Sequence, residues 1–136
     1  MTKKAVIYSD GGARGNPGPA AVGVLICDDQ GNEIEEYAEV IGETTNNVAE
    51  YKGVLVGLEM AKKLGFEEIH YFGDSELVVR QLSGIYKVKT PHILVLYQQV
   101  KVLEKFFKKI TYQHVPRTHE KIQHVDALVN QVLDAR

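Results

Sequence analysis

A short apolar run, Val6-Ile7-Tyr8-Ser9, ends in the carboxylate of Asp10 and meets a reversal at once, Gly11-Gly12-Ala13-Arg14-Gly15-Asn16-Pro17-Gly18-Pro19. β-Branched and aromatic residues bounded by Gly and Pro read as a buried strand. Asp10 then stands at a strand end, where a side chain leaves the core for a cleft. Gly11 and Gly12 carry no Cβ, so the backbone of another molecule can approach closely there. Taken alone, the same pattern also fits a β-turn that opens on an Asp. Its meaning depends on where the other acids of the chain fall.

Residues 20–28 read as a second strand, and Asp29-Gln30-Gly31-Asn32 supplies turn chemistry because Gly and Asn tolerate positive φ. Glu33–Ile41 reads as a third strand, and three strands on short loops imply an antiparallel meander. Thr or Asn within Thr44–Asn47 caps a helix that runs to about Leu64, with Gly65 just beyond its end. Val48, Tyr51, Leu55 and Leu58 form its buried stripe, and Gly53 and Gly57 imply close packing on the sheet. Phe66–Gly73 gives a fourth strand that ends in Asp74-Ser75. Strand, crossover helix and strand imply parallel pairing. If the fourth strand lies beside the first, Asp10 and Asp74 become near neighbours on strands about 4.8 Å apart.

A short helix over Glu76–Leu82 ends at Gly84, and a linker, Ile85–Thr90, carries Lys87 and Lys89. Pro91 at the first position opens a helix predicted to reach about Lys109, with Ile93, Leu96, Tyr97, Val100, Leu103 and Phe107 inward. Ile110–Val115 gives a fifth strand. A last helix begins near Glu120 on a stripe of Val125, Leu128, Val129 and Val132, with Asp126 at its flank. The architecture expected is a single α/β domain over residues 1–136: a five-stranded mixed sheet, three strands antiparallel and two parallel, with helices on both faces.

Two carboxylates side by side repel each other unless a cation holds them. Glu50, in the second turn of the long helix, and Asp126 converge on Asp10 and Asp74 in principle. Hard oxygen ligands without His or Cys favour Mg²⁺ or Mn²⁺ over zinc. Two such ions would clamp the attacking and leaving oxygens of a phosphodiester. The charge pattern agrees in part. The formal net charge is −2, yet residues 80–121 hold nine Lys or Arg against two Glu, while residues 28–50 hold eight acids and no base. One basic face that follows phosphates would suit this polarity. Cys27 is the only cysteine, and neither a signal-peptide core nor a bilayer-spanning run is present, so a cytoplasmic protein with no membrane contact and no obligate protein partner is expected.

Asp10-Gly11-Gly12-x-x-Gly15-Asn16-Pro17-Gly18, then Thr45-Asn46-Asn47-x-Ala49-Glu50-Tyr51, Asp74-Ser75 and Asp126-Ala127-Leu128 together resemble the type 1 ribonuclease H family, in the family's order and over nearly the whole chain. The resemblance implies a ribonuclease H-like fold. It implies that Asp10, Glu50, Asp74 and Asp126 bind two Mg²⁺, or Mn²⁺, and hydrolyse the RNA strand of RNA–DNA hybrids, leaving 3′-hydroxyl and 5′-phosphate ends. Double-stranded RNA is an additional substrate to test. Asn16, Thr45, Asn46 and Asn47 match substrate-contacting positions, and backbone around Gly11 and Gly12 would approach the RNA 2′-hydroxyls.

The chain departs from the family pattern in several places. The Gly84–Thr90 linker is too short for the basic protrusion of some members, so binding would lean on Lys87, Lys89 and the long helix that follows. Glu76 stands where many members have a Gln. The loop Val115–Glu120 offers Arg117 and His119 in place of a mobile loop histidine. Ile122-Gln123 replaces the usual Asn-Glu. A non-catalytic nucleic-acid binder and another metal-dependent nuclease of the same fold are the alternatives. The four intact acids argue against the first, and Asn16 with Thr45-Asn46-Asn47 argues against the second.

Overall fold

In the structure, a computed structural model in which residues 3–136 are described, the first strand is central rather than peripheral. β1 (Lys4–Ala13) pairs antiparallel with β2 (Gly18–Asp28), which pairs antiparallel with β3 (Glu33–Thr44). α1 (Asn46–Lys63) crosses to β4 (Glu68–Gly73), which lies parallel to β1. α2 (Glu76–Leu82) and α3 (Pro91–Glu104) precede β5 (Lys109–His114), parallel to β4, and α4 (Glu120–Ala135) closes the chain. The sheet order is β3-β2-β1-β4-β5. It is the mixed five-stranded sheet that the strand pattern implies.

Period-two patterning divides the two faces of the sheet. Ile7, Val24, Ile26, Ile69 and Tyr71 point to one side and form the main core with Tyr51, Val54 and Leu58 of α1, Val78 and Leu82 of α2, and Ile93 and Val100 of α3. Leu25 and Cys27 point to the other side and meet Ile122 and Val125 of α4. Helices thus cover both faces.

β2 starts two residues earlier and β5 one residue earlier than the sequence pattern suggests, and three further boundaries differ for a physical reason. β3 runs on to Thr44 because pairing with β2 resumes beyond a register shift, where Gly42 takes φ +87° and pairs with Ala20. α3 stops at Glu104, not near Lys109. Phe107 still buries itself, but from a turn, and Lys108 donates its N–H to the carbonyl of Glu67, which starts the β5–β4 pairing. β4 begins at Glu68 instead of Phe66, which is buried in the preceding turn.

The helix glycines of α1 set how closely it sits on β1. A Cβ built on Gly53 would lie 3.3 Å from both the Asp10 carbonyl oxygen and the Ser9 Oγ, and one on Gly57 would lie 3.0 Å from Ile7 Cγ2. On the strand side, a Cβ on Gly11 would come within 2.2 Å of the Ala49 carbonyl oxygen. This seam of glycines lets helix and strand backbones touch and brings Glu50, next to Ala49, over the end of β1.

Candidate active site

The parallel register fixes the first two acids. Tyr8 is level with Phe72, so two residues further on Asp10 comes level with Asp74, just past the end of β4. Ser75 caps α2 through its Oγ, which accepts from the Val78 N–H, so Asp74 is held between a strand end and a helix start. Asp10, Glu50 and Asp74 each offer an oxygen, and the three oxygens lie within 4.8 Å of one another. Asp126 of α4 lines the same cleft of about 340 Å³, with its carboxylate facing that of Asp10. Asp10 lies within β1, which pairs with β2 as far as Ala13 instead of ending at the acid, and it meets Asp74 from just past β4 and Glu50 and Asp126 from α1 and α4 in one place.

Such crowding carries an electrostatic cost. Asp10 is 8% exposed. Burial first, then the Asp74 and Asp126 carboxylates, push it up to about 7, against the opposing pull of the Gly11 N–H. Burial, then Asp10 and Asp74, hold Glu50 well above the usual carboxylate range, although Glu50 itself retains some open surface. Asp74 Oδ1 is buried and finds no hydrogen-bond partner among the described residues. A buried acceptor of that kind is costly to leave unmade. An oxygen-only donor set with an orphaned buried oxygen fits a hard divalent cation.

Below the acids, the Ser9 and Tyr71 hydroxyls bond to each other and Tyr51 donates to Gln81 Oε1 at 2.6 Å, so the floor is polar but satisfied. At the rim, Thr45 Oγ1 accepts from the Val48 N–H as the α1 cap, and Asn46 accepts at Oδ1 from the Ala13 N–H. Asn16 Oδ1 in turn accepts from the Asn46 N–H at 3.0 Å. These bonds use the Asn oxygens and leave the amide nitrogens as donors. Asn47, next to Asn46, makes no such bond among the described residues. Arg117 Nε stands 3.5 Å from Asp74 Oδ2 with its side chain 88% exposed, and it lines the cleft. His119 is elsewhere: its Nδ1 accepts from the Lys121 N–H as the α4 cap, and its ring lies 5.4 Å from that of Tyr8.

Residues 8–132 match the family model described as Reverse transcriptase-like. Ribonuclease H1 from the archaeon Halobacterium salinarum is similar in structure, with a TM-score of 0.94 at 38% identity, over 98% of this chain and 99% of that one. The chain belongs to the type 1 ribonuclease H family. Within that family, the N-terminal ribonuclease H domain of a Mycobacterium tuberculosis protein is 44% identical over 98% of this chain and 96% of that one, with a TM-score of 0.93. A ribonuclease H1 called LC11, solved in complex with an RNA/DNA hybrid, is 41% identical over 96% of this chain and 97% of that one, with a TM-score of 0.90. The chain spans about a third (36%) of the full mycobacterial relatives and 63% of the full Halobacterium ribonuclease HI.

Two expectations for this ribonuclease H-family chain need correction. The room that Gly11 leaves is filled by the α1 backbone at Ala49 instead of lying open to another molecule, whereas nothing lies within 4 Å of a Cβ placed on Gly12. The basic residues of 80–121 do not form one face. Lys108 pairs with Glu67 at 2.9 Å, Lys121 with Glu33 at 2.9 Å and Lys101 with Glu104 at 3.1 Å. Lys109 is level with Glu68, six residues and so about 20 Å back along the sheet from Asp74. Lys87 and Lys89 are exposed on the linker and outside the lining of the acidic cleft. Glu76 turns toward Arg80 at 3.3 Å. Arg14 and Asn130 line the cleft as well, and the sequence reading missed both. For Asn130 a signal existed, since it lies one helical turn beyond Asp126.

Proposed function

We propose that this chain hydrolyses the RNA strand of RNA–DNA hybrids at the cleft formed by Asp10, Glu50, Asp74 and Asp126, leaving 5′-phosphate and 3′-hydroxyl ends. The observation that carries the reading is the convergence of Asp10, Glu50 and Asp74 around a buried, unpartnered Asp74 oxygen, with Asp126 lining the same cleft. Without a cation that arrangement only costs stability. Membership of the ribonuclease H family supports the choice of substrate, as does the hybrid bound to LC11 ribonuclease H1. The four acids would hold two Mg²⁺ or Mn²⁺ ions. The ions' chemistry, when bound, is to acidify an attacking water and to stabilise the oxygen that leaves.

The chain's own residues supply the rest. Asp10 and Asp74 hold the centre of the site rigidly, because Asp10 is paired within β1 and Asp74 is held between the end of β4 and the start of α2. The amide nitrogens of Asn16 and Asn46 donate to the nucleic acid at the rim, joined by Thr45 and Asn47. The open backbone at Gly12 approaches the sugar edge, where a 2′-hydroxyl distinguishes RNA from DNA. Lys87 and Lys89 neutralise phosphates from the linker. Arg117, not His119, is the loop residue that faces the acids, so its guanidinium meets the scissile phosphate or the freed 5′-phosphate. Double-stranded RNA is a second substrate of the same geometry, and the lone buried Cys27 suits a cytoplasmic location.

The test is direct. Labelled RNA–DNA hybrid, duplex RNA and duplex DNA are incubated with Mg²⁺ or Mn²⁺ and the product ends are mapped. Cleavage is expected in the RNA strand of the hybrid and none in duplex DNA. Asp74→Asn should abolish cleavage while hybrid binding survives. A purified Asp74→Asn protein that still cuts, or one that loses binding and cutting equally, would remove the metal-dependent assignment.

A further inference from the structure

Asp126 is the loosest of the four acids. It is exposed on α4, while the Asp10 carboxyl crowds it from the cleft side. Asn130, one helical turn on, reaches back to it: Nδ2 donates to Asp126 Oδ2 at 3.3 Å and to the Asp126 carbonyl oxygen at 3.1 Å. Asn130 is itself oriented from the other side of the cleft. Arg14, in the β1–β2 reversal, donates through Nη2 to Asn130 Oδ1 and to the Asn130 carbonyl oxygen, both at 3.4 Å. A guanidinium only donates, so Asn130 must turn its oxygen to Arg14 and its nitrogen to Asp126. Arg14 is anchored in turn by Asp134 at 2.6 Å.

We infer that Asn130 is a positioning residue that holds the Asp126 carboxylate toward the cation site, and that Arg14 sets the direction of the Asn130 amide. The side-chain bonds from Asn130 to Asp126 and from Arg14 to Asn130 are long, at 3.3 and 3.4 Å, and individually weak. Their joint effect is to remove rotamer freedom from an exposed ligand before the cation arrives, which is the way partners behind a ligand raise metal affinity. The inference rests on Asp126 being a ligand, as proposed above.

The experiment measures binding of Mn²⁺ alone to the full chain by titration calorimetry, with no nucleic acid present. Asn130→Leu, of nearly the same size but unable to donate, should weaken Mn²⁺ binding by roughly tenfold. Arg14→Met should weaken it less, and Asn130→Gln, which keeps the amide, should recover part of the loss. Val132→Ala removes packing between α4 and the sheet without touching these bonds, so it should melt lower yet bind Mn²⁺ as wild type does. Asp126→Asn separates the two levels of the argument. If it weakens binding while Asn130→Leu does not, the positioning role is overturned and the ribonuclease reading stands. If Asp126→Asn itself binds like wild type, the assignment of Asp126 as a ligand falls first. Equal loss in Val132→Ala and Asn130→Leu would mean that both act through helix stability, and would overturn the inference.

Discussion

At the scale of single residues, Asp10 is where structure and function compete most openly. Without metal, burial together with Asp74 and Asp126 holds it at about 7, whereas in an unfolded chain it titrates at about 3.9. Between those values the folded protein keeps a proton that the unfolded protein has released. Stability from this group is therefore complete below about pH 4 and is lost as pH rises through about 7. Glu50 shifts in the same direction. Asp10→Asn mimics the protonated form permanently. In EDTA at pH 8 it should melt above wild type, by an amount on the order of 2 kcal/mol, with the gap closing toward pH 4. Mg²⁺ should narrow or reverse the gap, since only wild type keeps the full ligand set. A variant that melts below wild type in EDTA at pH 8 would make Asp10 a structural acid. The level placement of Asp10 and Asp74 was legible in the sequence, because a strand–helix–strand pattern implies parallel neighbours. The pairing of Asn130 with Arg14 was not, because it joins residues 116 positions apart through a loop whose path no local pattern dictates.

At the scale of elements, the glycines of the α1–β1 seam decide where Glu50 sits. Gly53 and Gly57 were legible as a packing signal, because glycine inside a helix is costly unless something lies close against it. The role of Gly11 was not, since a glycine after a strand-end acid reads equally as room for a ligand. With the Ala49 carbonyl 2.2 Å from its Cβ position, Gly11→Ala must push helix and strand apart. It should cost roughly 2–3 kcal/mol and lower cleavage by displacing Glu50. Gly12→Ala, with nothing within 4 Å, should change stability by no more than about 0.5 kcal/mol. Thermal melts of the two variants side by side distinguish them, and equal destabilisation would discard the seam as the determinant. The early end of α3 belongs to the same scale. Leu103 and Phe107 keep helical spacing, so the sequence suggests a longer helix, but tertiary pairing of Lys109 with Glu68 claims the chain first.

At the scale of the whole molecule, charge along the chain is a poor guide to charge in space. Nine bases over residues 80–121 suggest one positive face, yet three lysines there pair with Glu67, Glu33 and Glu104, and Lys109 begins the strand that ends near the site. Parallel strands make this separation unavoidable: the acids gather where the β1–β4 pairing ends, beside Asp74 just past β4, so a base at the start of β5 is carried the full length of the sheet away. Lys105 is exposed and unpaired too, but it caps the end of α3 four residues before Lys109, which leaves the linker pair Lys87 and Lys89, exposed and free of ion pairs among the described residues, as the candidate phosphate track in this segment beside Arg117. Hybrid affinity should fall linearly with salt on logarithmic axes, each neutralised phosphate adding about 0.7–0.9 to the slope. Replacing Lys87 and Lys89 together by Ala should make that slope shallower by up to about 2. Replacing Lys105 and Lys109 together should leave it unchanged, although the net charge changes by the same amount. Equal flattening by both pairs would show that overall charge governs binding; flattening by the Lys105 and Lys109 pair alone would place the hybrid at the opposite end of the sheet from the four acids, which no cleavage at Asp74 could tolerate.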